Sequence, residues 1–361
     1  MAVTKAVTIH DVAARAGVSV GTASRVLTGH PSTSQRSRDL VTKAAADLGY
    51  RANARAGSLR SAHTDTIGVL VSDIRNPFFA DIAEAVEQKA LLAGLATIMC
   101  NADESAAQQD RYIDLLVNQR VDGIIMAPQG DGSGKLSLAR EWGIPLVFVD
   151  RVIDGSGIPS VTSDNSGGVH QAVNRLAELG HRRIGYIAGP LQTSTGRERL
   201  AAFEDAAYKH GIDSSLVFVG DFRYESGLAG AAKLLEMATP PTAIIAADSL
   251  MTLGAALVCR QRGVRIPDEL SLIGYDDVPA FSLLDPPLTV IAHDPTRMGE
   301  LAFDMLVEVE AGRPVEPIVL PTALIERGSI GPVTQNPVVK NPSVKNSSAN
   351  NPCVQNEVNN D

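Results

Sequence analysis

The feature that most constrains this fold is a regular alternation of short apolar runs and amphipathic segments that begins at Thr66. The apolar runs predict strands at residues 67–71, 96–100, 123–127, 145–149, 183–188, 217–219, 243–247, 271–275 and 288–291. The amphipathic segments predict helices near residues 79–93, 105–118, 134–142, 167–179, 198–210, 225–237, 249–262 and 297–311. Strands that alternate with helices build parallel, doubly wound sheets covered on both faces. Because the pattern restarts near residues 160–166, we expect an α/β body of two Rossmann-like lobes.

The first 50 residues have a helical periodicity instead. Thr8 caps a predicted helix at 9–16 that Gly17 ends, Ser19 caps a second at 20–27, and a third covers about 34–48. The predicted inward faces are Ile9, Val12, Ala13 and Ala16, then Ala23, Val26 and Leu27, then Leu40, Val41, Ala44, Ala45 and Leu48. Small residues at the crossings and a glycine at the turn are typical of an all-α helix-turn-helix head, although other small three-helix domains share the spacing.

Charge is distributed unevenly between this head and the rest of the chain. The chain holds 32 Lys and Arg against 41 Asp and Glu, a formal net charge of −9. Residues 1–63 hold nine basic and three acidic side chains, a net charge of +6, which leaves −15 for the remainder. A small basic segment on a large acidic body indicates a protein that meets phosphate groups with one domain only.

A basic segment at residues 51–63 follows the head and contains one large apolar side chain, Leu59. The run from Val7-Thr8-Ile9-His10-Asp11-Val12-Ala13 through Gly17-Val18-Ser19-Val20-Gly21-Thr22-Ala23-Ser24-Arg25-Val26-Leu27 to Leu59 resembles the DNA-binding head of the lactose-repressor (LacI/GalR) family. The resemblance implies a head at 1–50 and a hinge helix and linker at 51–65. Because nine or ten residues make a marginal helix, we expect this hinge to fold only on DNA.

The resemblance also implies where DNA is contacted. Val20, Gly21 and Arg25 match the positions whose side chains meet base edges in the major groove, and Leu59 matches a minor-groove wedge. Arg25 has the fork that pairs with guanine. The full set of DNA-binding candidates is Thr8, Ser19, Val20, Gly21, Thr22, Arg25, Arg51, Asn53, Leu59 and Arg60.

Polar and aromatic residues follow most of the predicted strands of the body. Ligands of doubly wound sheets bind beyond the carboxyl ends of strands, and such residues suit a polyhydroxylated ligand, although loops are polar in most proteins. Residues 66–330 resemble the type I periplasmic-binding-protein fold that LacI/GalR regulators share with bacterial sugar-binding proteins. The phrases that carry this resemblance include Asn76-Pro77-Phe78-Phe79, Val121-Asp122-Gly123, Val149-Asp150-Arg151, Asp164-Asn165, Arg197-Glu198-Arg199 and Ile273-Gly274-Tyr275-Asp276-Asp277.

The resemblance implies an effector site between the two lobes. Its candidate residues are Asn76, Phe78, Phe79, Asp150, Arg151, Asn165, Arg199, Phe222, Asp276 and His293. Three positions depart from the ribose-binding members, because Ala127 and Ala247 replace asparagine and His293 replaces glutamine. A ribose-like pentose or a nucleoside is therefore the first expectation for the effector, with two amide hydrogen bonds missing.

Other classes of protein find little support. Gly132-Ser133-Gly134-Lys135 lacks the first glycine and the Ser or Thr of a phosphate-binding loop, and the seven histidines show no metal-site spacing. No cofactor motif or nucleophile elbow is present, so we expect neither cofactor nor enzyme activity. Cys100, Cys259 and Cys353 are too far apart for a paired redox or metal motif. Without a membrane-length apolar run or a secretion signal, the chain is expected to be cytoplasmic.

Residues 331–361 are rich in Asn, Pro and Val and are expected to be a disordered tail without the Leu heptads of a tetramerising segment. The interpretation is therefore a homodimeric repressor that binds palindromic operator DNA and loses or gains affinity when a sugar-like effector binds. Two alternatives stay open on sequence alone. One is a sugar-binding transport or sensor protein without a DNA role, and the other is an enzyme that uses the doubly wound fold.

Overall fold

The computed structural model describes residues 7–28, 30–50, 63–130 and 134–333. Four DNA-binding candidates, Arg51, Asn53, Leu59 and Arg60, lie outside the described residues, and so does the tail from residue 334 onward.

Three helices form the head at the predicted places: α1 Ile9–Ala16, α2 Val20–Leu27 and α3 Gln35–Leu48. The Ser19 hydroxyl accepts a hydrogen bond from the Thr22 backbone N–H at 3.1 Å and so caps α2. Gly17 ends α1 with a φ of 65°, a left-handed conformation that glycine adopts without steric strain. The sequence signals for the ends of these helices are therefore confirmed.

The head has a small core of its own. Its buried apolar residues are Val12, Ala13, Ala16, Ala23, Val41, Ala44 and Ala45, with Ile9, Val26, Leu27 and Leu48 packed against them. One prediction was wrong, because the side chain of Leu40 is 43% exposed. Leu40 precedes Val41 by one position, about 100° around the helix, and Val41 takes the inward position on that turn.

The body begins at residue 63 and alternates strands with helices as predicted. The strands are β1 Thr66–Val71, β2 Ala96–Asn101, β3 Gly123–Met126, β4 Leu146–Val149, β5 Ser160–Ser163, β6 Ile184–Ala188, β7 Val217–Val219, β8 Ala243–Ala246, β9 Ser271–Tyr275, β10 Thr289–Ala292, β11 Ile318–Leu320 and β12 Ala323–Ile325. The helices are α4 Pro77–Leu92, α5 Ala106–Gln119, α6 Gly134–Glu141, α7 Asn165–Glu178, α8 Ser194–Lys209, α9 Tyr224–Leu235, α10 Ser249–Gln261, α11 Pro279–Ser282 and α12 Pro295–Glu310. The sequence missed β5, β11, β12 and α11.

The strands form two six-stranded sheets. The first has the order β11-β5-β4-β3-β1-β2, and the second has the order β12-β10-β9-β8-β6-β7. Pairs β1–β2, β1–β3 and β3–β4 are parallel in the first sheet, as are β6–β7, β6–β8, β8–β9 and β9–β10 in the second. The exception recorded is β12, which is antiparallel to β10. Two predominantly parallel sheets confirm the expected pair of doubly wound lobes.

The described chain divides into two compact units. The first takes in residues up to Ile74, Phe79–Val161 and Thr296–Ile318, and the second takes in Arg75–Phe78, Thr162–Pro295 and the residues from Val319 on. The chain passes from the first unit to the second after Val161, inside the break predicted at residues 160–166. Each sheet has a buried apolar core, around Ile124, Leu116 and Phe148 in the first unit and around Ile244, Ile273 and Phe203 in the second.

Hydrogen bonds hold the two ends of the described body. At its start, the Asp122 carboxylate accepts the Thr64 N–H at 2.8 Å and the Thr66 N–H at 3.2 Å. At its end, His181 contacts the Gly331 carbonyl at 3.0 Å, and Val333 donates to the Leu179 carbonyl at 3.1 Å. Residues 331–333 of the predicted tail are therefore held on the second unit. None of the helices described is both long and apolar enough to cross a membrane.

Candidate functional site

The exposed side of α2 presents the predicted base-reading residues. Val20 is 37% exposed, and Gly21 and Arg25 are exposed as well. The Arg25 Nε donates to the Gly21 carbonyl at 3.3 Å, which holds the guanidinium along the outer face of the helix. A two-turn helix with such a face has the dimensions that enter a major groove.

The polar candidates of the head lie at the starts of its helices. Thr8 donates to the Asp11 carboxylate through its backbone N–H at 2.8 Å and its hydroxyl at 2.7 Å. The Ser19 hydroxyl, besides capping α2, contacts the Thr22 hydroxyl at 2.9 Å. Thr8, Ser19 and Thr22 therefore fix helix N-termini, where N–H groups and the helix dipole favour phosphate.

A polar cluster lies at the carboxyl ends of strands in the second unit. Asp276 follows β9 in a left-handed conformation with a φ of 65° and is 5% exposed. Its Oδ1 accepts from His293 Nε2 at 2.8 Å, and its Oδ2 accepts from the Ser249 N–H at 3.2 Å. Because a carboxylate only accepts, the Asp276 contact requires a proton on His293 Nε2.

The environment of Asp276 favours its ionised form. Burial raises the pKa of this carboxyl, but the hydrogen bond from His293, the charges of His293 and Arg199 and the hydrogen bond from Ser249 lower it by more. The pKa of Asp276 is therefore below its ordinary value, and the second unit holds a buried negative charge at this strand end.

His293 is enclosed by aromatic and polar groups, and its side chain is 1% exposed. Its ring stacks on that of Phe78 with centroids 4.3 Å apart and an interplanar angle of 4°, and its edge meets Tyr275 at 5.6 Å. The second ring nitrogen, Nδ1, contacts the Ser163 hydroxyl at 2.7 Å. These contacts fix the position of the His293 imidazole.

Arg199 and Asn165 form a second group in the same unit. The Arg199 Nε donates to Asn165 Oδ1 at 2.8 Å, and its Nη1 donates to the Ala247 carbonyl at 2.8 Å. The guanidinium carbon lies 3.7 Å from the centre of the Tyr275 ring, a cation–π contact.

Asn76 is joined to the start of α10. Its Nδ2 donates to Asp248 Oδ2 at 2.8 Å, and its Oδ1 accepts from the Ser249 hydroxyl at 2.9 Å. Asp248 also caps α10 by accepting the Met251 N–H at 2.9 Å. The candidate asparagine is thus oriented by two side chains that the sequence analysis did not select.

Phe222 is a buried residue of the second unit, 4% exposed, with a φ of 62°. A Cβ at Gly189 would lie 2.1 Å from the Phe222 ring, so the glycine at the end of β6 is what admits the ring there. Phe222 belongs to the core cluster of the unit. Its ring is therefore fixed by packing as well as placed at a strand end.

The remaining candidates, Phe79, Asp150 and Arg151, belong to the first unit. The Arg151 guanidinium donates to both oxygens of Glu104, at 2.7 and 2.8 Å, and to Gln129 Oε1 at 2.9 Å. Its carbon lies 5.6 Å from the centre of the Phe79 ring. Asp150 has a φ of 65°, and its Oδ2 lies 3.5 Å from Arg151 Nε.

The structure therefore sorts the effector candidates into two groups. Asn76, Phe78, Asn165, Arg199, Phe222, Asp276 and His293 lie in the second unit, and Phe79, Asp150 and Arg151 lie in the first. The sequence analysis did not select Glu104, Gln129, Ser163, Asp248, Ser249 or Tyr275. Gln129 and Asp248 follow predicted strands, so their positions could have identified them. Among the residues described, no group of three or more His, Cys, Asp or Glu side chains is placed to hold a metal ion.

Family models match both parts of the chain. One described as bacterial regulatory proteins of the lacI family matches residues 8–53, and one described as a periplasmic binding protein-like domain matches residues 173–330. The match to the head decides against a transport protein without a DNA role.

Full-length relatives support the same assignment. The chain is 35% identical over 336 residues to the HTH-type transcriptional regulator CelR of Thermobifida fusca, covering 89% of this chain and 98% of CelR. It is also 35% identical over 331 residues to the HTH-type transcriptional repressor PurR of Escherichia coli O139:H28, covering 90% of this chain and 96% of PurR.

Solved structures extend this similarity to the fold. A complex of CelR with cellobiose gives a TM-score of 0.67 at 34% identity, over 90% of this chain and 99% of that one. A lac repressor dimer bound to operator and the anti-inducer ONPF gives a TM-score of 0.79 at 30% identity, over 91% and 100%. The expected helix-turn-helix head and periplasmic-binding-protein-like body are both confirmed, and the chain belongs to the LacI family of bacterial regulatory proteins, as a DNA-binding transcriptional regulator.

Proposed function

We propose that this regulator is a homodimeric repressor of palindromic operators, controlled by a small uncharged effector rich in hydroxyl groups. A ribose-like pentose or a nucleoside is the first candidate. The observation that carries the effector proposal is the strand-end cluster of the second unit. Its members Asn165, Arg199 and Asp276 are buried residues, and the side chain of His293 is 1% exposed. A buried arrangement of amide, carboxylate, guanidinium and imidazole groups next to aromatic rings is what a sugar requires.

The balance of charges favours a neutral ligand. Asp248 and Asp276 are buried at this end of the second unit, and Arg199 and His293 are basic side chains that interact with Asp276. A phosphorylated or carboxylated ligand would add negative charge next to two buried carboxyl groups. Hydroxyl groups instead donate to carboxylates and accept from the guanidinium, so they use the same groups without adding charge.

The relatives support both halves of the proposal. CelR has been solved with cellobiose, which makes a neutral disaccharide the second candidate for the effector. The lac repressor has been solved as a dimer on operator DNA, and PurR is a repressor by name. A dimer presents two α2 helices to one face of the duplex, so the operator should be a near-palindrome with half-sites about one turn apart.

A ligand screen tests the effector. Purified full-length protein is heated with pentoses, hexoses, nucleosides, cellobiose and sugar phosphates, and the melting temperature is recorded. A ligand at 100 times its dissociation constant stabilises the native state by about 2.7 kcal/mol, a shift that is easily measured. Stabilisation by sugar phosphates but by none of the neutral compounds would refute the proposed ligand class.

Selection of DNA sites followed by footprinting tests the operator. We expect selected sites to be near-palindromic and to be released or bound more tightly when the effector from the screen is added. Recovery of asymmetric or direct-repeat sites alone would contradict the proposed symmetric dimer.

A further inference from the structure

The Glu104–Arg151 pair in the first unit has a geometry that bears on which ligands the protein accepts. The side chain of Glu104 is 6% exposed and that of Arg151 is 3% exposed. The two oxygens of Glu104 take hydrogen bonds from the two terminal nitrogens of Arg151, at 2.7 and 2.8 Å. This is a bidentate, charge-assisted pair, the strongest form of contact that a guanidinium makes with a side chain.

The backbone around Glu104 is held in an unusual conformation. Asp103 and Glu104 have φ values of 50° and 51°, in the left-handed region that residues other than glycine rarely adopt. The Glu104 N–H donates to the Ser72 carbonyl at 3.0 Å, which ties this turn to the end of β1. Two consecutive strained residues persist only when surrounding contacts fix them. The fixed turn therefore places the Glu104 carboxylate next to Arg151.

A network of neutral groups completes the surroundings of Arg151. Gln129 accepts from Arg151 at 2.9 Å and donates to the Ser72 hydroxyl at 2.8 Å. The Gln129 backbone N–H donates in turn to Gln109 Oε1 at 2.7 Å. The guanidinium is thus held within its own unit by hydrogen bonds to the Glu104 carboxylate and the Gln129 amide.

Arg151 has two acidic neighbours. Besides Glu104, the buried Asp150 has its Oδ2 3.5 Å from Arg151 Nε, so two carboxylates face one guanidinium. Without Glu104, the terminal nitrogens of Arg151 would face this end of the sheet with the geometry that binds phosphate or carboxylate.

We propose that Glu104 is a specificity-determining residue, which occupies the anion-binding face of Arg151 and so restricts the effector to uncharged polyhydroxylated compounds. The inference rests on the proposed function, since it takes the effector to be an uncharged, hydroxyl-rich compound. Sugar phosphates and sugar acids are rejected because their anionic group would have to displace the Glu104 carboxylate and leave it buried beside Asp150.

The test compares wild type with Glu104→Gln, which keeps the shape of the side chain and removes its charge. Inorganic phosphate is the first probe, and D-ribose and ribose 5-phosphate are a matched second pair. Binding is followed by isothermal titration and by melting temperature at constant ionic strength. We expect no saturable phosphate binding by wild type, saturable binding by Glu104→Gln, and a fall of about tenfold or more in any preference for ribose over its phosphate.

Glu308→Gln is the matched control. Glu308 also makes two contacts with an arginine, Arg313, but its side chain is 45% exposed on the surface of the first unit. This variant should behave as wild type with every probe. Phosphate binding of equal strength by Glu308→Gln and Glu104→Gln would show a general effect of charge and would overturn the proposal. Saturable phosphate binding by wild type would overturn it as well.

Two further variants keep the test decisive. Glu104→Asp retains the charge, so it should not gain phosphate binding. In Glu104→Gln/Arg151→Gln the guanidinium is gone as well, and the gain should be lost again. If Glu104→Gln alone fails to fold, phosphate should restore its melting transition, whereas the double variant should fold without phosphate. A failure of phosphate to do so would contradict the proposal.

Failure of the proposed function has a different outcome. If wild type binds no neutral sugar in the screen, the effector class proposed above is wrong. The phosphate results with Glu104→Gln and the double variant would still decide whether Glu104 controls access of anions to Arg151.

Discussion

Replacing Asp276 by asparagine tests the chemistry of the second-unit cluster most directly. The substitution preserves shape but removes a buried charge that accepts from His293 Nε2 at 2.8 Å and from the Ser249 N–H at 3.2 Å. A hydrogen bond to a charged group contributes about 1.5–3 kcal/mol. We therefore expect Asp276→Asn to lower the ligand-free stability by about 2 kcal/mol, or about 4–8 °C in the melting temperature of a unit of this size.

The effect should depend on pH with a defined sign. The pKa of Asp276 is lower in the folded protein than the value of about 3.9 expected in the unfolded chain. Such a group stabilises the folded state fully above the unfolded-state pKa, and this stabilisation is lost as the pH falls through the folded-state pKa. The difference between wild type and Asp276→Asn should stay constant above about pH 5 and shrink below about pH 4.

The neighbouring residue Asp277 supplies a matched control. Its carboxylate accepts from Arg327 Nη2 at 2.7 and 2.8 Å, but its side chain is 30% exposed. We expect Asp277→Asn to cost at most about 1 kcal/mol. Urea denaturation of the three proteins between pH 3.5 and 7.5 measures all of these differences. A variant Asp276→Asn as stable as wild type, or a difference that persists undiminished at pH 3.5, would refute this account.

Three further predictions follow from the head and the buried thiols. Arg25→Ala should relax base preference at one position of each half-site. Arg51→Ala or Arg60→Ala should instead lower the affinity for all DNA sites equally and make that affinity less dependent on salt. Titration of DNA at several salt concentrations measures both effects. Val41→Ala, at a fully buried site, should lower the free energy of unfolding of the head by about 1–3 kcal/mol, whereas Leu40→Ala should lower it by less than about 1 kcal/mol. Amide hydrogen exchange of α1 and α3 distinguishes the two variants. Burial raises the pKa of Cys100 to about 11 and that of Cys259 to about 12, so neither thiol should react with iodoacetamide at pH 7.5 before unfolding, as peptide mass mapping would show.

The sequence was most informative where burial is continuous. The apolar runs that predicted β1, β3 and β9 are buried strands of parallel sheets, so every residue had to be apolar or small. The strand β5 has the sequence Ser-Val-Thr-Ser and holds one large apolar residue, while β11 and β12 have three residues each. Strands so short or so polar show no periodicity, and their positions depend on the sheets beside them.

Site residues were predictable as strand-end positions but not as partners. Glu104 and Arg151 are 47 residues apart in the chain, and a glutamate does not itself indicate the left-handed conformation that Glu104 adopts. Phe78 and Phe79 are adjacent and were expected to act together. Phe78 instead stacks on His293 and Phe79 faces Arg151, because successive residues of a helix point about 100° apart.

Hydrogen bonds that the protein already makes limit the binding free energy that an effector can gain from new ones. Arg199 already donates to Asn165 and to the Ala247 carbonyl, and Asn76 already bonds to Asp248 and Ser249. A ligand hydroxyl that takes one of these places exchanges one hydrogen bond for another, and a net contribution of about 0.5–1.5 kcal/mol is typical for such an exchange. At the proposed effector site we therefore expect the affinity to come largely from apolar ring surface against side chains such as Phe78. We expect the specificity to come from hydroxyl groups whose absence would leave a buried partner unpaired.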